Sequence, residues 1–466
     1  MTNQRRRAVV MGASMAGLAA ARALADTFDE VVVVERDLLP VVPSSRKGTP
    51  QARHVHALLP SGLDALEELF PGVGEQLVAA GAVVGDGLGD LRWVLSGHRF
   101  ARGHAGRSAV QCTRVLLESV IRDRVRGIPN VSVIDRCDVV GFVAAPGRIE
   151  GVRILRRIDG SAEETLMSDL VVDCSGRGSR TPARLVELGY PAPPEERIAV
   201  SVGYATCRYR MPRDVLDGDR SILIGGTSEL PRGAAMFAVE GDEWMLTLAG
   251  LVGDHPPLDP VAFEGWASTL SVPDVAAAIA QGTRLEEPTG YRYPASVRHR
   301  YERLRRFPEG LVVMGDALAS FNPVYGQGMS VAALEAVELH RLLRSSRPID
   351  ARRFAKRMAR IVDVAWELSS CADLAFEQVE GRRTAKTRMV NRYVARVHAA
   401  AAGDPVVGAA FVRVAGLVDP PERLMRPGLL VRVLSGSRRT PSRSTRAVGA
   451  TGDDRVLVGA TEGGER

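Results

Sequence analysis

The chain has 466 residues, 45% of them apolar and 25% charged, with five cysteines and a formal net charge of +6. That length implies two or three packed units with ordinary globular cores. The arginines are spread along the chain and the aromatics, at 5%, do not interleave with them, which argues against nucleic acid as a partner.

Arg5, Arg6 and Arg7 precede an apolar run ending at Ala25, a pattern shared with secretory signals. The glycine spacing inside the run favours a different reading. Ala8 to Met11 form a buried parallel strand, Gly12-Ala13-Ser14-Met15-Ala16-Gly17 a turn, and Leu18, Ala21, Leu24 and Ala25 one face of a helix. Val31 to Val34 then make a second buried strand, closed by Glu35. In such a unit Gly12 makes the tight turn, small Ser14 lets the backbone approach a pyrophosphate, and Gly17 lets helix and strand pack closely. The helix N-terminus offers free N–H groups to phosphate, and Glu35 can accept from the adenosine ribose hydroxyls. Ser14 stands where the middle glycine of G-x-G-x-x-G is usual. A hydrolase elbow, G-x-S-x-G with Ser14 as nucleophile, is the rival reading; it needs glycine at Ala16 and more strands beforehand.

Arg46-Lys47-Gly48-Thr49-Pro50-Gln51-Ala52-Arg53-His54 forms a basic loop. His54 and His56 would share a face if they lay on a strand. With no further ligands grouped nearby, packing or a cofactor contact is favoured over metal, and no metal is expected. Arg114 opens a helix, Arg114-Val115-Leu116-Leu117-Glu118. Leu170 to Asp173 form a strand that runs into Cys174-Ser175-Gly176-Arg177-Gly178-Ser179-Arg180. From Ala199 to Tyr293 apolar residues alternate (Ala235, Phe237, Val239, then Trp244, Leu246, Leu248), as in antiparallel strands with one face on a core. Pro273 to Gly282 predicts a short helix on that sheet.

Leu311-Val312-Val313-Met314-Gly315-Asp316-Ala317 is a further buried strand ending in Gly-Asp. It continues through Phe321-Asn322-Pro323-Val324-Tyr325-Gly326-Gln327-Gly328-Met329 into a helix from Ser330 to Leu343. Asp316 is thereby a carboxylate at a strand's carboxyl end, where α/β sheets bind ligands. The glycines leave backbone N–H groups uncovered, either for a flat heterocycle or simply because the turn needs positive φ. Residues 350–418 read as helical. Ala399 to Val418 is too interrupted by Asp404, Pro405 and Arg413 to span a membrane. The tail from Ser435 to Arg466 has a disordered composition. The scattered cysteines Cys112, Cys137, Cys174, Cys207 and Cys371 read as reduced thiols, and a cytoplasmic location is expected.

Gly12 to Gly17 with Glu35, the Gly176 to Arg180 turn, and Gly315-Asp316 leading to Gly326-Gln327-Gly328 resemble, in order and spacing, the three fingerprints of para-hydroxybenzoate-hydroxylase-type flavin monooxygenases, over about residues 8–345. Residues Arg46 to His54 and Phe321 to Leu334 look most like the actinobacterial polyether-epoxidase branch, the monensin and lasalocid type. The resemblance implies an α/β fold with a Rossmann-like FAD domain (1–198 and 294–345, with 82–110 attached to either side), an antiparallel-sheet substrate domain (199–293) and a C-terminal helical region (346–434). Gly12, Ser14, Met15, Ala16 and Gly17 would hold the FAD pyrophosphate. Glu35 would bind the ribose, with Arg36 beside the adenine. Arg46 or Lys47 would lie over the flavin, and Arg114 would reach the phosphates. Gly176 would lie in the second turn, and Gly315 and Asp316 would hold the ribityl chain or pyrophosphate. Pro323, Gly326, Gln327, Gly328 and Met329 would face the ring.

The same resemblance implies NAD(P)H as a transient reductant and O2 as co-substrate. One oxygen would pass from a flavin C4a-hydroperoxide to a hydrophobic small molecule. An alkene of a polyketide or terpenoid would be epoxidised, or a phenol hydroxylated, with no side chain assigned as catalytic. Phe237 and Trp244 are candidate pocket residues, either equally well plain core. The family's Asp-Gly in the second fingerprint is here Ser175-Gly176. That departure, at a position tied to flavin and NAD(P)H handling, keeps a reductase without oxygen transfer as an alternative.

Overall fold

The computed structural model describes residues 6–345 and 349–436. The expected disordered tail from Ser435 lies mostly outside them; Ser435 and Gly436 close the helix Pro427–Gly436.

A five-stranded parallel sheet forms the first layer, in the order Leu311–Val313, Leu170–Asp173, Arg7–Met11, Glu30–Val34, Val131–Ile134. Arg7–Met11 and Glu30–Val34 are almost wholly apolar because the sheet is covered, by the helix Met15–Ala25 and by strands that bring Ile149, Val152 and Ile154 into the same core. Met15–Ala25 and Gly328–Leu343 pack together against this sheet, small residues on the first permitting close approach. A three-stranded antiparallel meander, Cys137–Ala145, Arg148–Arg156 and Glu163–Met167, adjoins it.

The second layer is a large antiparallel sheet built on the long strand Glu195–Arg210, with Glu243–Gly250 on one side and Thr289–His299 on the other. It continues through Arg232–Val239 and Ser221–Ile224 to Leu91–Leu95, which pairs in parallel with Ser221–Ile224. Thus the chain is α/β: a Rossmann-like parallel sheet, an antiparallel sheet and C-terminal helices, among them Ala351–Asp373, Ala385–Ala401 and Pro405–Ala415.

The two faces of the antiparallel sheet differ, and the alternation read from sequence is corrected here. Phe237 pairs with Met245, and Trp244 with Ala238, so Phe237 and Trp244 point to opposite faces. Trp244, Leu246 and Leu248 enter a core closed by the helices Pro260–Ala267 and Asp274–Ile279, through Phe263, Trp266, Val275 and Ile279. Phe237, Met245, Thr247, Tyr204, Thr206, Tyr291 and Tyr293 share the opposite, inner face by register.

Candidate functional site

The three glycine turns converge because their strands are neighbours. Leu311–Val313, Leu170–Asp173 and Arg7–Met11 are adjacent and parallel, so Gly315-Asp316, Ser175-Gly176 and Gly12–Gly17 emerge side by side at their carboxyl ends, with Glu35 on the next strand. Backbone bonds tie the turns together: Cys174 N–H donates to Met11 O (3.0 Å), Met314 N–H to Asp173 O (2.9 Å) and Gly12 N–H to Val34 O (2.8 Å). Gly12 has φ +100°, and a Cβ there would lie 2.6 Å from Cys174 O. A Cβ on Gly315, φ +61°, would lie 2.7 Å from the Ala16 Cβ. These glycines leave a cradle of bare backbone. The first intrahelical bond is Leu18 N–H to Ser14 O (2.9 Å), so the amides before it need an external acceptor, as at any helix start.

The polar residues around the cradle are charge-paired. Glu35 is buried; its carboxylate accepts from Ala13 N–H (2.8 Å) and Asp37 N–H (3.0 Å). Arg114, at the start of the helix Arg114–Arg126, donates to Ser14 Oγ (2.9 Å), and Ser14 Oγ donates to Glu118 (3.1 Å). Burial raises and the Arg114 and Arg46 charges lower the Glu118 pKa, with a net lowering. Arg46 does not project over a ring site. Its guanidinium is drawn inward by three carboxylates, Glu118 (2.9 Å), Asp37 (3.2 Å) and Glu35 (3.3 Å), at the strand-end turn. Lys47 and Arg36 are exposed.

In the second turn Asp173 is fully buried. It accepts from Ser175 N–H (2.9 Å), Ser175 Oγ (2.5 Å), Ser179 Oγ (2.5 Å) and Thr181 Oγ1 (2.6 Å), and so shapes the turn around Gly176. Arg177 crosses to the antiparallel sheet, stacking 4.2 Å from the Tyr293 ring and donating to Ala295 O (3.3 Å). Asp316 follows the strand Leu311–Val313 at its carboxyl end and is exposed, although protein is crowded around it. Desolvation by the surrounding protein raises its pKa, against the lowering charges of Arg177 and Arg114.

Residues 54–59 connect the cradle to the inner face of the sheet. His54 and His56 lie in irregular backbone after the short helix Pro50–Arg53, so the shared strand face expected for them is absent: Pro50 starts a turn instead. His54 Nδ1 bonds Thr206 Oγ1 (2.7 Å), and Val55 N–H donates to Thr247 Oγ1 (2.9 Å). The His54 ring lies 5.8 Å from Tyr204 and 5.6 Å from Tyr291, and its Nε2 is buried without a partner. Burial, then the Arg53 charge, lowers its pKa to about 4. Ala57 packs against Gly326, whose φ is +65°, and Leu59 N–H donates to Ser330 Oγ (3.1 Å). Pro323, Gly326, Gln327, Gly328 and Met329 thereby lie at the start of the helix Gly328–Leu343, with Gly326 beside Ala57 and Gly328 beside Asp316.

Several residues of this region escape sequence reasoning. Glu118 shows only as the i+4 partner of Arg114, and Thr206 and Thr247 as polar residues inside strands. Asp373 closes a helix far along the chain, with no local signal linking it to Asn322. Among the described residues no group of three His, Cys, Asp or Glu could hold a metal, and no helix is long and apolar enough to cross a membrane.

The fold is that of flavin-dependent monooxygenases and halogenases. It superposes on a flavoprotein/dehydrogenase from Cytophaga hutchinsonii with a TM-score of 0.66 at 14% identity, covering 93% of this chain and 98% of that one. For the flavin-dependent brominase Bmp2 the TM-score is 0.63 at 14% identity, with the same coverages. For PqsL, a probable FAD-dependent monooxygenase from Pseudomonas aeruginosa, it is 0.60 at 18% identity, covering 80% of this chain and 98% of that one. The chain belongs to the family of Protein Rv3254 of Mycobacterium tuberculosis (strain ATCC 25618 / H37Rv), to which it is 33% identical over 430 residues, 90% of each chain. It is also 24% identical over 340 residues to squalene monooxygenase 1,1 of Brassica napus, covering 73% of this chain and 63% of that one. No protein-family profile matches the chain.

Proposed function

We propose that the chain binds FAD and inserts one oxygen atom from O2 into a hydrophobic small molecule, an alkene of a polyketide or terpenoid being the favoured target. The observation that carries this reading is the convergence of three glycine turns on neighbouring parallel strands. Its close packing depends on glycine at Gly12, Gly17 and Gly315, where an added Cβ would collide with Cys174 O, Gly12 O and the Ala16 Cβ, so the bare backbone of the turns stays drawn together at the strand ends. The donor set suits a dinucleotide: helix-start amides and Arg114 for the pyrophosphate, Glu35 for a ribose and Asp316 for the ribityl chain or pyrophosphate. Arg46 belongs with the phosphates and ribose in this arrangement, since it pairs with Glu35 and Glu118.

FAD, when bound, supplies two-electron reduction and the activation of O2. NAD(P)H would be the transient reductant, so that substrate, O2, NAD(P)H and a proton give oxygenated substrate, water and NAD(P)+. The protein's share is orientation and dryness. The Pro323–Met329 turn would face the ring, and the sheet face that carries Phe237, Met245, Tyr204 and Tyr291 would roof it with largely apolar surface. His54 is held neutral, so it brings no charge to that roof. The likeness to a squalene monooxygenase supports alkene epoxidation over hydroxylation of a phenol. A phenol would also gain from a base, and the buried His54, with its pKa lowered to about 4, is a weak one.

The test is an absorbance spectrum of the purified chain, followed by anaerobic reduction with NADH or NADPH and mixing with O2 in the presence of polyene and phenolic substrates. A flavin spectrum and a product heavier by one oxygen are expected. Reduced product without added oxygen would establish a reductase instead, and failure to take up FAD would end the reading.

A further inference from the structure

The turn that faces the proposed ring site is anchored by one carboxylate distant in sequence. Asp373 is the last residue of the helix Ala351–Asp373 and is fully buried. Its Oδ1 accepts from both Asn322 Nδ2 (2.7 Å) and Tyr325 OH (2.8 Å). Asn322 is also fully buried, and its Oδ1 accepts from Val324 N–H (3.2 Å). The turn closes on itself through Tyr325 N–H to Asn322 O (3.3 Å) and Gly326 N–H to Pro323 O (3.0 Å). Ala57 meets Gly326 from the other side. Both residues that reach out of this turn to a side chain therefore reach the same oxygen of Asp373.

We infer that Asp373 is a positioning residue for the flavin: through Asn322 and Tyr325 it fixes the Pro323–Gly326 turn against which the ring would lie. The inference rests on the FAD reading above. A purely packing role would be met by an apolar side chain at the helix end. Here a carboxyl is kept in a buried place with its Oδ2 unpartnered, at the end of the helix whose dipole disfavours negative charge. The ionisable groups that face it are Tyr325 from the turn and Tyr204 from the long strand of the sheet. Arg383 binds the carbonyls of Leu374, Phe376 and Val379 just beyond. Burial outweighs the two hydrogen bonds and pushes its pKa up to about 7. The protonated acid keeps Oδ1 as an acceptor for both donors, whereas ionisation places an unpaired charge beneath the turn.

The experiment uses the full chain with wild type, D373N, D373A and Y325F. Hydrogen exchange of the Val324 to Gly326 amides without FAD tests the clamp alone; FAD affinity and the flavin's visible spectrum from pH 5.5 to 8.5 test its action on the ring. Losing both bonds in D373A should speed exchange and weaken FAD binding about tenfold, with Y325F intermediate. D373N keeps the acceptor and should match wild type at pH 6. The wild-type spectrum should shift near pH 7, and the D373N spectrum should not. If D373A does not fold, D373N and Y325F decide the matter. Wild-type exchange in both D373A and Y325F would overturn the clamp whether or not FAD binds. A pH transition that persists in D373N would overturn its action on the flavin. Exchange that responds as expected in a chain that takes up no FAD would instead overturn the FAD reading and, with it, the positioning role.

Discussion

Gly17 lies so close to Gly12 that a Cβ on it would stand 1.8 Å from the Gly12 carbonyl oxygen. Helix and strand meet at backbone contact there, and the obstacle is a peptide group with strands on both sides, not a flexible side chain. Gly17→Ala must therefore push the helix start away from the cradle. The variant should retain less than about a tenth of the wild-type flavin, a loss of at least 1.4 kcal/mol. Gly178→Ala, with no atom within 4 Å of the added carbon, is the matched control. Flavin-to-protein absorbance ratios after purification report both; equal ratios in the two variants would refute the close-packing argument.

Glu118 is the shared counter-ion of Arg46 (2.9 Å) and Arg114 (3.3 Å), all three side chains being nearly inaccessible. Glu118→Ala leaves two buried guanidinium groups short of a partner and should cost about 3–5 kcal/mol. FAD phosphates would offer those arginines another anion, so the thermal-unfolding deficit should be smaller with FAD than without. The folded pKa of Glu118 is lowered, so its contribution is complete above the unfolded value near 4.5 and is lost as pH falls through the folded value. A wild-type unfolding temperature for the variant at pH 7 would remove the buried pair from the account.

The reach of the sequence reading follows from the range of the interactions involved. The first turn was legible because strand, glycine spacing, helix and terminal acid all lie between Arg7 and Glu35. The second and third turns were legible for the same reason, each being a buried strand running into glycine. Which side chains those turns hold was much less so. Arg46 reads as a free cation over a ring until Glu118, on a helix many residues away, is seen to draw it inward. Phe237 and Trp244 read as one face because alternation gives each strand's period, not the hairpin register between two strands. Asp373 has no sequence signal at all, since only the packing of its helix brings it to Asn322.

Glu335 gives the cradle a pH dependence opposite in sign to that of Glu118. It is fully buried; one oxygen accepts from Gly315 N–H (2.6 Å) and the other has no partner. Burial raises its pKa to about 8, so between the unfolded value of 4.5 and about 8 the folded chain holds a proton that the unfolded chain has lost. Stability from this group must fall as pH rises through that window and stay low above it. Glu335→Gln keeps the acceptor for Gly315 and cannot ionise. The wild-type unfolding temperature should drop more steeply than that of the variant from pH 5 to 8.5, with the two converging at the acid end. Parallel curves would place the ionisation elsewhere.

Trp244 and Phe237 separate the two faces of the antiparallel sheet by experiment. Trp244 is 3% exposed in the core beneath the helices Pro260–Ala267 and Asp274–Ile279, while Phe237 is 5% exposed on the face that looks toward His54 and the cradle. Trp244→Ala should lose about 3–5 kcal/mol of stability yet leave kcat/KM of the folded enzyme within about twofold, since the void opens away from the cleft. On the proposed function, Phe237→Ala removes roof surface over the substrate and should lower kcat/KM at least tenfold, about 1.4 kcal/mol of transition-state binding. Both are measured well below their unfolding temperatures, so that stability does not enter the kinetics. If Trp244→Ala impaired turnover as much as Phe237→Ala, substrate would have to reach the outer core, and the inner face would lose its claim to be the roof.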